Sequence, residues 1–221
     1  MSTTAFRTSP LHSELEQLSP TWTTVAGMQV ASCLGDNEMH FLETVALCDL
    51  SFLPRLGLNG PGVSGWLQTQ DIEVPAAMYE LATLSDGSSV VRIGTNEVII
   101  EGVPGAGTID KLTAALATDV KDVFNVTRNE ASLALAGPAA ADVLAQTCSV
   151  LVRDLLQQAL VYTRVAGVSA AVFQQELNGC NCVRLIFDPS YGIYMWRELL
   201  KIIAEYDGGA VGFACLFPES Q

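Results

Sequence analysis

An internal repeat constrains the fold of this chain more than any other feature of its sequence. Leu56–Leu67 reads LGLNGPGVSGWL and Leu133–Leu144 reads LALAGPAAADVL, at an offset of 77 residues. The positions shared by the two copies are Leu56/Leu133, Leu58/Leu135, Gly60/Gly137, Pro61/Pro138 and Leu67/Leu144. A repeat of this kind predicts two halves with the same local structure.

Each copy of the repeat predicts a strand, a turn and a helix. The alternating leucines are typical of a half-buried strand. Gly60 and Gly137 permit a sharp turn or a close backbone approach. Pro61 and Pro138 would then stand at a first helical position, where a missing N–H has no cost.

The elements predicted after the first copy are a hairpin and a helix. Val90–Ile93 and Val98–Ile100 flank a polar turn and predict the hairpin. A Gly/Pro-rich loop, Gly102–Gly107, leads to a helix for which Thr108 is the predicted N-cap. A short strand at or near Phe124–Val126 closes this half.

The same order of elements follows the second copy. Val168–Gln174 and Cys182–Phe187 flank Asn178-Gly179, which is a typical hairpin turn. A helix follows with one apolar face, and a strand within Ala210–Phe217 closes the half. Chance similarity of two generic strand–helix turns is the alternative explanation, but the matching order favours duplication.

The predicted fold class is therefore α+β, with two pseudo-symmetric ferredoxin-like halves related by a twofold axis. We assign residues 26–120 to the first half and 121–221 to the second. Residues 1–25 contain Ser9-Pro10 and Ser19-Pro20, and we expect an arm that is extended over a neighbouring surface or poorly ordered.

Composition and charge exclude several classes of function. Apolar residues make up 49% of the 221, which rules out disorder for most of the chain. A net charge of −13 repels phosphate backbones, so no nucleic-acid partner is predicted. Since only 16% of the residues are charged, part of the surface is expected to meet another subunit.

The sequence predicts neither a membrane segment nor a metal site. The most apolar long stretch, Ala131–Val152, contains Pro138 and Asp142, and the polar start lacks the apolar region of a secretory signal. A cytoplasmic location is therefore expected. The six cysteines are scattered through apolar stretches and predict buried thiols. The alternative is a redox or metal pair at Cys180 and Cys182, for which the sequence offers no third ligand nearby.

Two carboxylates are candidates for ligand binding. Glu101 and Asp110 flank the loop Gly102–Gly107, and acids beside a helix start could bind the amines of a pterin ring. The alternative is structural, because Asp110 in a first helical turn is favourable for the helix by itself.

Longer motifs resemble the folate-binding aminomethyltransferase superfamily, to which the glycine cleavage T-protein belongs. In the first half, Cys48–Ser51, Leu56–Pro61, Tyr79 and Thr95–Ile100 follow the family order. The second half resembles one branch, the gamma subunits of heterotetrameric sarcosine oxidase, and the segments that carry this resemblance are Leu135–Leu144, Tyr162–Gly167 and Ser190–Leu199. The resemblance covers roughly residues 26–217.

The resemblance implies the N-terminal part of the aminomethyltransferase fold, without its C-terminal barrel. It places Asp110 where the family has its key acid and Tyr79 where it has a pocket tyrosine, so the candidate cofactor-binding residues are Asp110, Tyr79 and Glu101. The family also has a hairpin, G-E-x-G-x-E, whose glutamates hold the pterin. Asn178–Arg184 occupies that place without either acid, and each unmet pterin donor would cost about 1–3 kcal/mol.

Two functions follow from the resemblance. The first is a non-catalytic accessory subunit, similar to the sarcosine oxidase gamma subunit, that takes part in oxidative demethylation and one-carbon metabolism. Its partners would be larger oxidase-type subunits, or further copies of itself. The alternative is a pterin-binding protein or an aminomethyltransferase-like one-carbon transfer module, with tetrahydrofolate as the cofactor.

Overall fold

Two compact units make up the computed structural model, which describes residues 7–36, 38–117, 120–150, 152 and 159–218. Unit 1 contains the described residues up to Phe52 and from Glu130 onward, and unit 2 is Leu53–Asn129. Both units combine helices with mainly antiparallel sheets, which confirms the predicted α+β class.

Unit 1 contains a six-stranded sheet and a three-stranded sheet. Its helices are α1 (His12–Glu16), α4 (Ala140–Thr147) and α5 (Gly192–Ile203). Its strands are β1 (Arg7–Thr8), β2 (Thr21–Val25), β3 (Met28–Cys33), β4 (Ala46–Asp49), β10 (Ala131–Ala136), β11 (Val161–Val165), β12 (Val168–Leu177), β13 (Cys180–Phe187) and β14 (Gly209–Val211). The strand orders are β11-β12-β13-β10-β4-β14 and β1-β3-β2.

The core of unit 1 lies between one face of the larger sheet and the helices. Leu133 and Leu135 of β10 alternate toward this core, where Trp196 and Leu199 of α5 are also buried. The helix therefore buries the apolar face that its sequence predicted, because residues three and four apart project from one side. Burial of these side chains is the main stabilising contribution in the unit.

Unit 2 is a five-stranded antiparallel sheet with two helices. Its helices are α2 (Val63–Thr69) and α3 (Thr108–Leu116), and its strands are β5 (Arg55–Asn59), β6 (Leu81–Thr83), β7 (Ser89–Gly94), β8 (Glu97–Glu101) and β9 (Phe124–Val126). The strand order is β6-β7-β8-β5-β9. Leu58, Val90, Ile100 and Leu112 form a buried cluster between the sheet and the helices.

The glycines of the repeat occupy equivalent turns. Gly60 follows β5 with φ +130°, and Gly137 follows β10 with φ +108°. A Cβ atom would lie 2.2 Å from the Asp122 carbonyl oxygen at the first glycine and 2.6 Å from that of Thr44 at the second. Glycine is therefore required at both positions for its backbone conformation and for close approach. The helices α2 and α4 begin two residues after the repeat's prolines, so each proline lies in the turn and not at the predicted first helical position.

Residues 7–25 differ from the extended arm expected from the sequence. They form β1, α1 and β2, with Leu11 and Leu15 buried in the core of unit 1. Leu11 directly precedes α1 and Leu15 lies within it, and their spacing of four residues places both on the side that faces the core. Ser9 also donates from Oγ to the buried carboxylate of Asp49. The rest of the predicted arm, residues 1–6, lies outside the described residues.

The unit boundaries also differ from the predicted boundary at residues 120 and 121. β9 pairs antiparallel with β5, so unit 2 continues to Asn129. β4 pairs antiparallel with β10, so residues up to Phe52 belong with the second half of the chain. Both differences arise from strand pairing between segments that are distant in sequence.

Candidate functional site

The predicted pocket residues Tyr79 and Glu101 lie at different places in unit 2. Tyr79 has φ +63°, and its N–H donates to the carbonyl oxygen of Arg92 at 2.7 Å, near the turn between β7 and β8. Glu101 ends β8 opposite Ser89, at the other end of this hairpin. Since Ser89 and Arg92 are three residues apart, about 10 Å of strand separates the two positions. The hairpin therefore does not bring Tyr79 and Glu101 together.

Glu101 forms an ion pair within its own sheet. Arg55 of β5 lies opposite Glu101 of β8, and its Nε lies 2.7 Å from Glu101 Oε2. Only 3% of the Arg55 side chain and 7% of the Glu101 side chain are exposed. A second ion pair joins Arg128, two residues after β9, to Glu97 of β8. The Glu101 carboxylate thus already neutralises a buried guanidinium, which a ligand amine would have to displace.

Asp110 is exposed and lies in the first turn of α3. This position favours a carboxylate electrostatically, since the N-terminal end of a helix carries a partial positive charge. The described geometry is thus compatible with the structural role considered for Asp110 from sequence. Nothing in the structure tests its role as a cofactor ligand, or that of Tyr79, and both stay predictions.

Thr108 is not the N-cap of α3, contrary to the sequence-based prediction. Gly107 holds that position, and the Thr108 N–H donates to Asp86 Oδ2 at 3.1 Å. Asp86 Oδ1 also accepts from the Ser88 N–H at 3.0 Å. Sequence reasoning missed this contact because Asp86 lies 22 residues before the helix that it caps.

The hydrogen bonds to Asp86 outweigh the cost of its partial burial. Burial alone would raise the pKa of the carboxyl group, but bonds from Thr108 and Ser88 favour the ionised form, so the pKa lies below its ordinary value. Asp86 is therefore ionised at neutral pH and fixes the start of the helix that carries Asp110.

The second-half hairpin forms as predicted around Asn178-Gly179. β12 and β13 pair up to Leu177 and Cys180, and the two turn residues have φ +47° and +79°. This conformation favours Asn-Gly in a two-residue hairpin turn. Asn178 Nδ2 also donates to the carbonyl oxygen of Leu216 at 2.7 Å, which ties the turn to the end of unit 1.

A buried arginine follows this turn on β13. Arg184 is fully buried, and its Nη2 donates to Ser132 Oγ at 2.8 Å. Its Nη1 donates to Gln175 Oε1, and its guanidinium carbon lies 5.5 Å from the centre of the Phe173 ring. The side chain is thus held by polar and aromatic partners on β10 and β12. In the sequence Arg184 is only a departure from the acidic motif, and no local pattern indicates that it is buried.

A cleft of about 460 Å³ lies on unit 2, and none of the three predicted pocket residues lines it. Its lining residues are Ser64, Gln68, Asp71, Ile72, Glu73, Val74 and Arg92. Arg92 Nε donates to the Pro75 carbonyl oxygen at 2.6 Å, and Nη1 donates to that of Thr95 at 3.1 Å. Its guanidinium therefore stabilises the surrounding loops.

Neither a metal centre nor a membrane helix occurs in the described part of the chain. No three His, Cys, Asp or Glu side chains there are grouped so that they could hold a metal ion. No described helix combines the length and the apolar character needed to cross a bilayer.

Comparison with solved structures identifies the fold. The aminomethyltransferase T of the glycine cleavage system from Bartonella henselae aligns with 96% of the chain at a TM-score of 0.75 and 17% identity, and 61% of that protein is covered. A chain of heterotetrameric sarcosine oxidase from Corynebacterium sp. U-96, in complex with pyrrole 2-carboxylate, aligns with 91% at a TM-score of 0.61 and 22% identity. Of that chain, 97% is covered. The architecture is therefore that of the aminomethyltransferase fold.

The sequence relatives are likewise aminomethyltransferases and sarcosine oxidase gamma subunits. An aminomethyltransferase of Corynebacterium aurimucosum is 28% identical over 227 aligned positions, which include 93% of this chain and 61% of the relative. The sarcosine oxidase gamma subunit of Corynebacterium sp. U-96 is 30% identical over 134 positions, or 59% of this chain and 62% of that subunit. The chain spans about three fifths of the length of these relatives.

No family model matches the chain. The sequence and structure comparisons nevertheless agree with each other, and they confirm the resemblance seen in the sequence motifs. The chain is thus similar both to aminomethyltransferases and to the gamma subunits of sarcosine oxidase.

Proposed function

We propose that this chain is a non-catalytic accessory subunit of an oxidase complex of the sarcosine oxidase type. It would assemble with larger subunits that carry out the oxidative demethylation of an N-methylated amine. The observation that carries this proposal is Arg184, a buried arginine in the hairpin where the superfamily holds a pterin with glutamates.

The local chemistry of Arg184 supports the proposal. A pterin presents paired N–H donors, which require acceptors such as carboxylates. Arginine has only donors, and Nη1 and Nη2 of Arg184 already bond to Gln175 and Ser132. A pterin at this hairpin would therefore meet a fixed positive charge and no glutamate from the hairpin motif.

The ion pair in unit 2 supports the same conclusion. Glu101 bonds to Arg55 inside the sheet, so binding a ligand amine at Glu101 would leave a buried guanidinium without that charge partner. Both candidate pterin-binding regions thus contain buried arginines that bond to nearby protein groups.

We also propose that the two halves arose by duplication of one ancestral half. In this proposal the first strand of each half pairs in the sheet of the other half. β4 and β9 occupy corresponding positions at the 77-residue offset, since residues 47–49 correspond to 124–126. β4 pairs with β10 and β9 pairs with β5, so each of these strands joins the sheet of the other copy. The order of the later elements supports the same correspondence, because β6, β7 and β8 match β11, β12 and β13.

Co-expression tests the accessory role. The tagged chain would be produced with the larger oxidase-type subunits encoded in the same genome, purified, and assayed for oxidation of N-methylglycine. We expect a stable complex that oxidises this amine, and no oxidation by the chain alone. A chain that purifies alone in the presence of all larger subunits would contradict the proposal.

Titration with folinic acid tests the alternative. A folate-binding protein would gain about 2.7 kcal/mol of stability at a hundredfold excess of ligand over Kd, whereas we expect no change in melting temperature. If folinic acid does raise the melting temperature, loss of that rise in Asp110→Ala would show that Asp110 binds the ligand. Asp142→Ala is the matched control, since Asp142 is the third residue of α4, as Asp110 is of α3, and both are exposed.

A further inference from the structure

Three large side chains that unit 1 leaves exposed lie within four residues of each other at the start of α5. Tyr191, Ile193 and Tyr194 are 49%, 39% and 46% exposed, and we call these three residues the tyrosine patch. Tyrosine is enriched at protein interfaces because a ring gives a large contact area at a small cost in conformational entropy.

The tyrosine patch stands on a rigid base. The opposite side of α5 is buried, with Met195 and Trp196 in the core of unit 1. Gly192, between two patch residues, packs so closely on the N-terminal segment that a Cβ atom would lie 3.0 Å from Pro10 Cβ. Side chains on such a base lose little backbone freedom when a partner binds.

One ring of the patch is also held by a hydrogen bond. The Tyr194 hydroxyl donates to the Ala166 carbonyl oxygen at 2.9 Å, in the turn between β11 and β12. This bond fixes the orientation of an exposed ring before any partner arrives. A preorganised aromatic side chain of this kind is typical of residues that contribute strongly to binding.

Charge indicates the chemistry of the partner. The two segments of unit 1 contain 15 Asp and Glu residues against 6 Lys and Arg. Two cations of α5 are already paired, Arg197 with Glu14 and Lys201 with Glu198. Asp188 is exposed and lies three residues before Tyr191. Its Oδ1 accepts from both the N–H and the Oγ of Ser190, which leaves Oδ2 for another donor.

We propose that the tyrosine patch and Asp188 dock a basic surface of one of the larger subunits. Arginine or lysine side chains of that surface would lie over the tyrosine rings, and one would bond to the Asp188 carboxylate. This inference rests on the proposed accessory function, and it assigns the surface by which the chain binds the larger subunits.

Binding measurements on surface variants test the assignment. The purified chain would be titrated against the complex of larger subunits, first as wild type and then as the double variant Tyr191→Ser/Tyr194→Ser. We expect Kd to rise at least about tenfold for the double variant, as for loss of two central aromatic contacts. The matched control is Tyr162→Ser, since Tyr162 is 56% exposed in the same unit but lies on β11, outside the tyrosine patch. For this control we expect Kd to change by less than about twofold.

Salt dependence tests the charge argument separately. Wild-type affinity should fall as salt is raised from about 50 to about 500 mM, since screening weakens exposed charge pairs. Asp188→Asn should weaken binding at low salt and reduce this dependence. Melting temperatures close to wild type would show that all variants are folded.

The outcomes separate this inference from the proposed function. If the wild-type chain binds the larger subunits but the double variant binds equally well, or Tyr162→Ser is equally harmful, the assigned surface is wrong and the accessory role stands. Salt-independent binding would overturn the basic character of the partner surface. If the wild-type chain does not bind at all, both proposals fail.

Discussion

Arg55 and Glu101 face each other on β5 and β8 and form an ion pair that is almost completely buried, with 2.7 Å between Nε and Oε2. In the sequence, Arg55 directly precedes the first copy of the repeat and Glu101 directly precedes the Gly/Pro-rich loop, so no local pattern indicates that the two side chains meet. The pairing shows that the most buried of the predicted pocket acids has a structural partner.

Removing the negative charge of this pair should destabilise unit 2. Glu101→Gln leaves the Arg55 guanidinium buried without its ion-pair partner, and we expect a loss of about 3 kcal/mol in the free energy of unfolding. Urea denaturation followed by circular dichroism measures this loss.

The control for this variant replaces both charges. Arg55→Met/Glu101→Leu removes the pair together with its desolvation cost, so we expect it to be more stable than Glu101→Gln alone. A single variant within about 0.5 kcal/mol of wild type would show that the ion pair does not stabilise the unit.

Asp86 should stabilise α3 in a pH-dependent way. Asp86→Asn removes the negative charge beside the start of α3, and the loss of a favourable charge at a helix N-terminus costs about 0.3–1 kcal/mol at pH 7. Because hydrogen bonds lower the pKa of Asp86 despite burial, its contribution is present above the ordinary value of 3.8 and is lost as pH falls through the lower, folded-state value.

The measurement for Asp86 is the stability difference between wild type and Asp86→Asn from pH 7 down to about pH 3. We expect the difference to shrink only below the ordinary pKa. A difference that stays constant across this range would mean that the charge of Asp86 does not support the helix.

The turn glycine of the second repeat should be intolerant of any side chain. Gly137→Ala combines a positive φ with a Cβ atom 2.6 Å from the Thr44 carbonyl oxygen. Gly179→Ala is the matched control, since Gly179 has φ +79° and open space around its Cβ position. We expect about 1 kcal/mol of destabilisation for the control, from backbone conformation alone, and at least about 2 kcal/mol more for Gly137→Ala. Equal thermal shifts would contradict the requirement for close approach.

Two thiols should resist alkylation in the folded protein. Burial raises the pKa of Cys48 well above its usual range, with a further contribution from Asp49. Burial and Glu38 raise the pKa of Cys215 to about 12. Since the thiolate is the reactive form, iodoacetamide at pH 8 should modify both cysteines slowly in native protein and rapidly after denaturation. Mass spectrometry of peptides identifies the modified residues, and fast native labelling of Cys48 would contradict its burial.

Local signals in the sequence were sufficient for several elements. Asn178-Gly179 defines its hairpin because the turn conformation favours those residue types. The glycines at 60 and 137 identify sharp turns because no other residue fits there. Spacing of Trp196 and Leu199 predicts the buried face of α5, since helical period depends on neighbours alone.

Long-range pairing explains what the sequence did not predict. Val45–Asp49 is a buried run that would suit a strand in either half, and only the folded chain shows that β4 joins β10. Leu11 and Leu15 form too short a pattern to indicate burial against a core distant in sequence. The partners of Glu101, Thr108 and Arg184 likewise come from other strands or loops, so residue type alone could not identify them.

The bonds between Ser51 and Ser132 have a consequence for how this molecule could be rearranged. Ser132 N–H donates to Ser51 Oγ at 3.0 Å, so the chain leaves unit 1 just after Ser51 and returns close to the same point. Leu53–Asn129 is therefore a single insertion between two neighbouring points in the chain of unit 1. A short glycine-containing connector could span that gap after excision of the inserted unit.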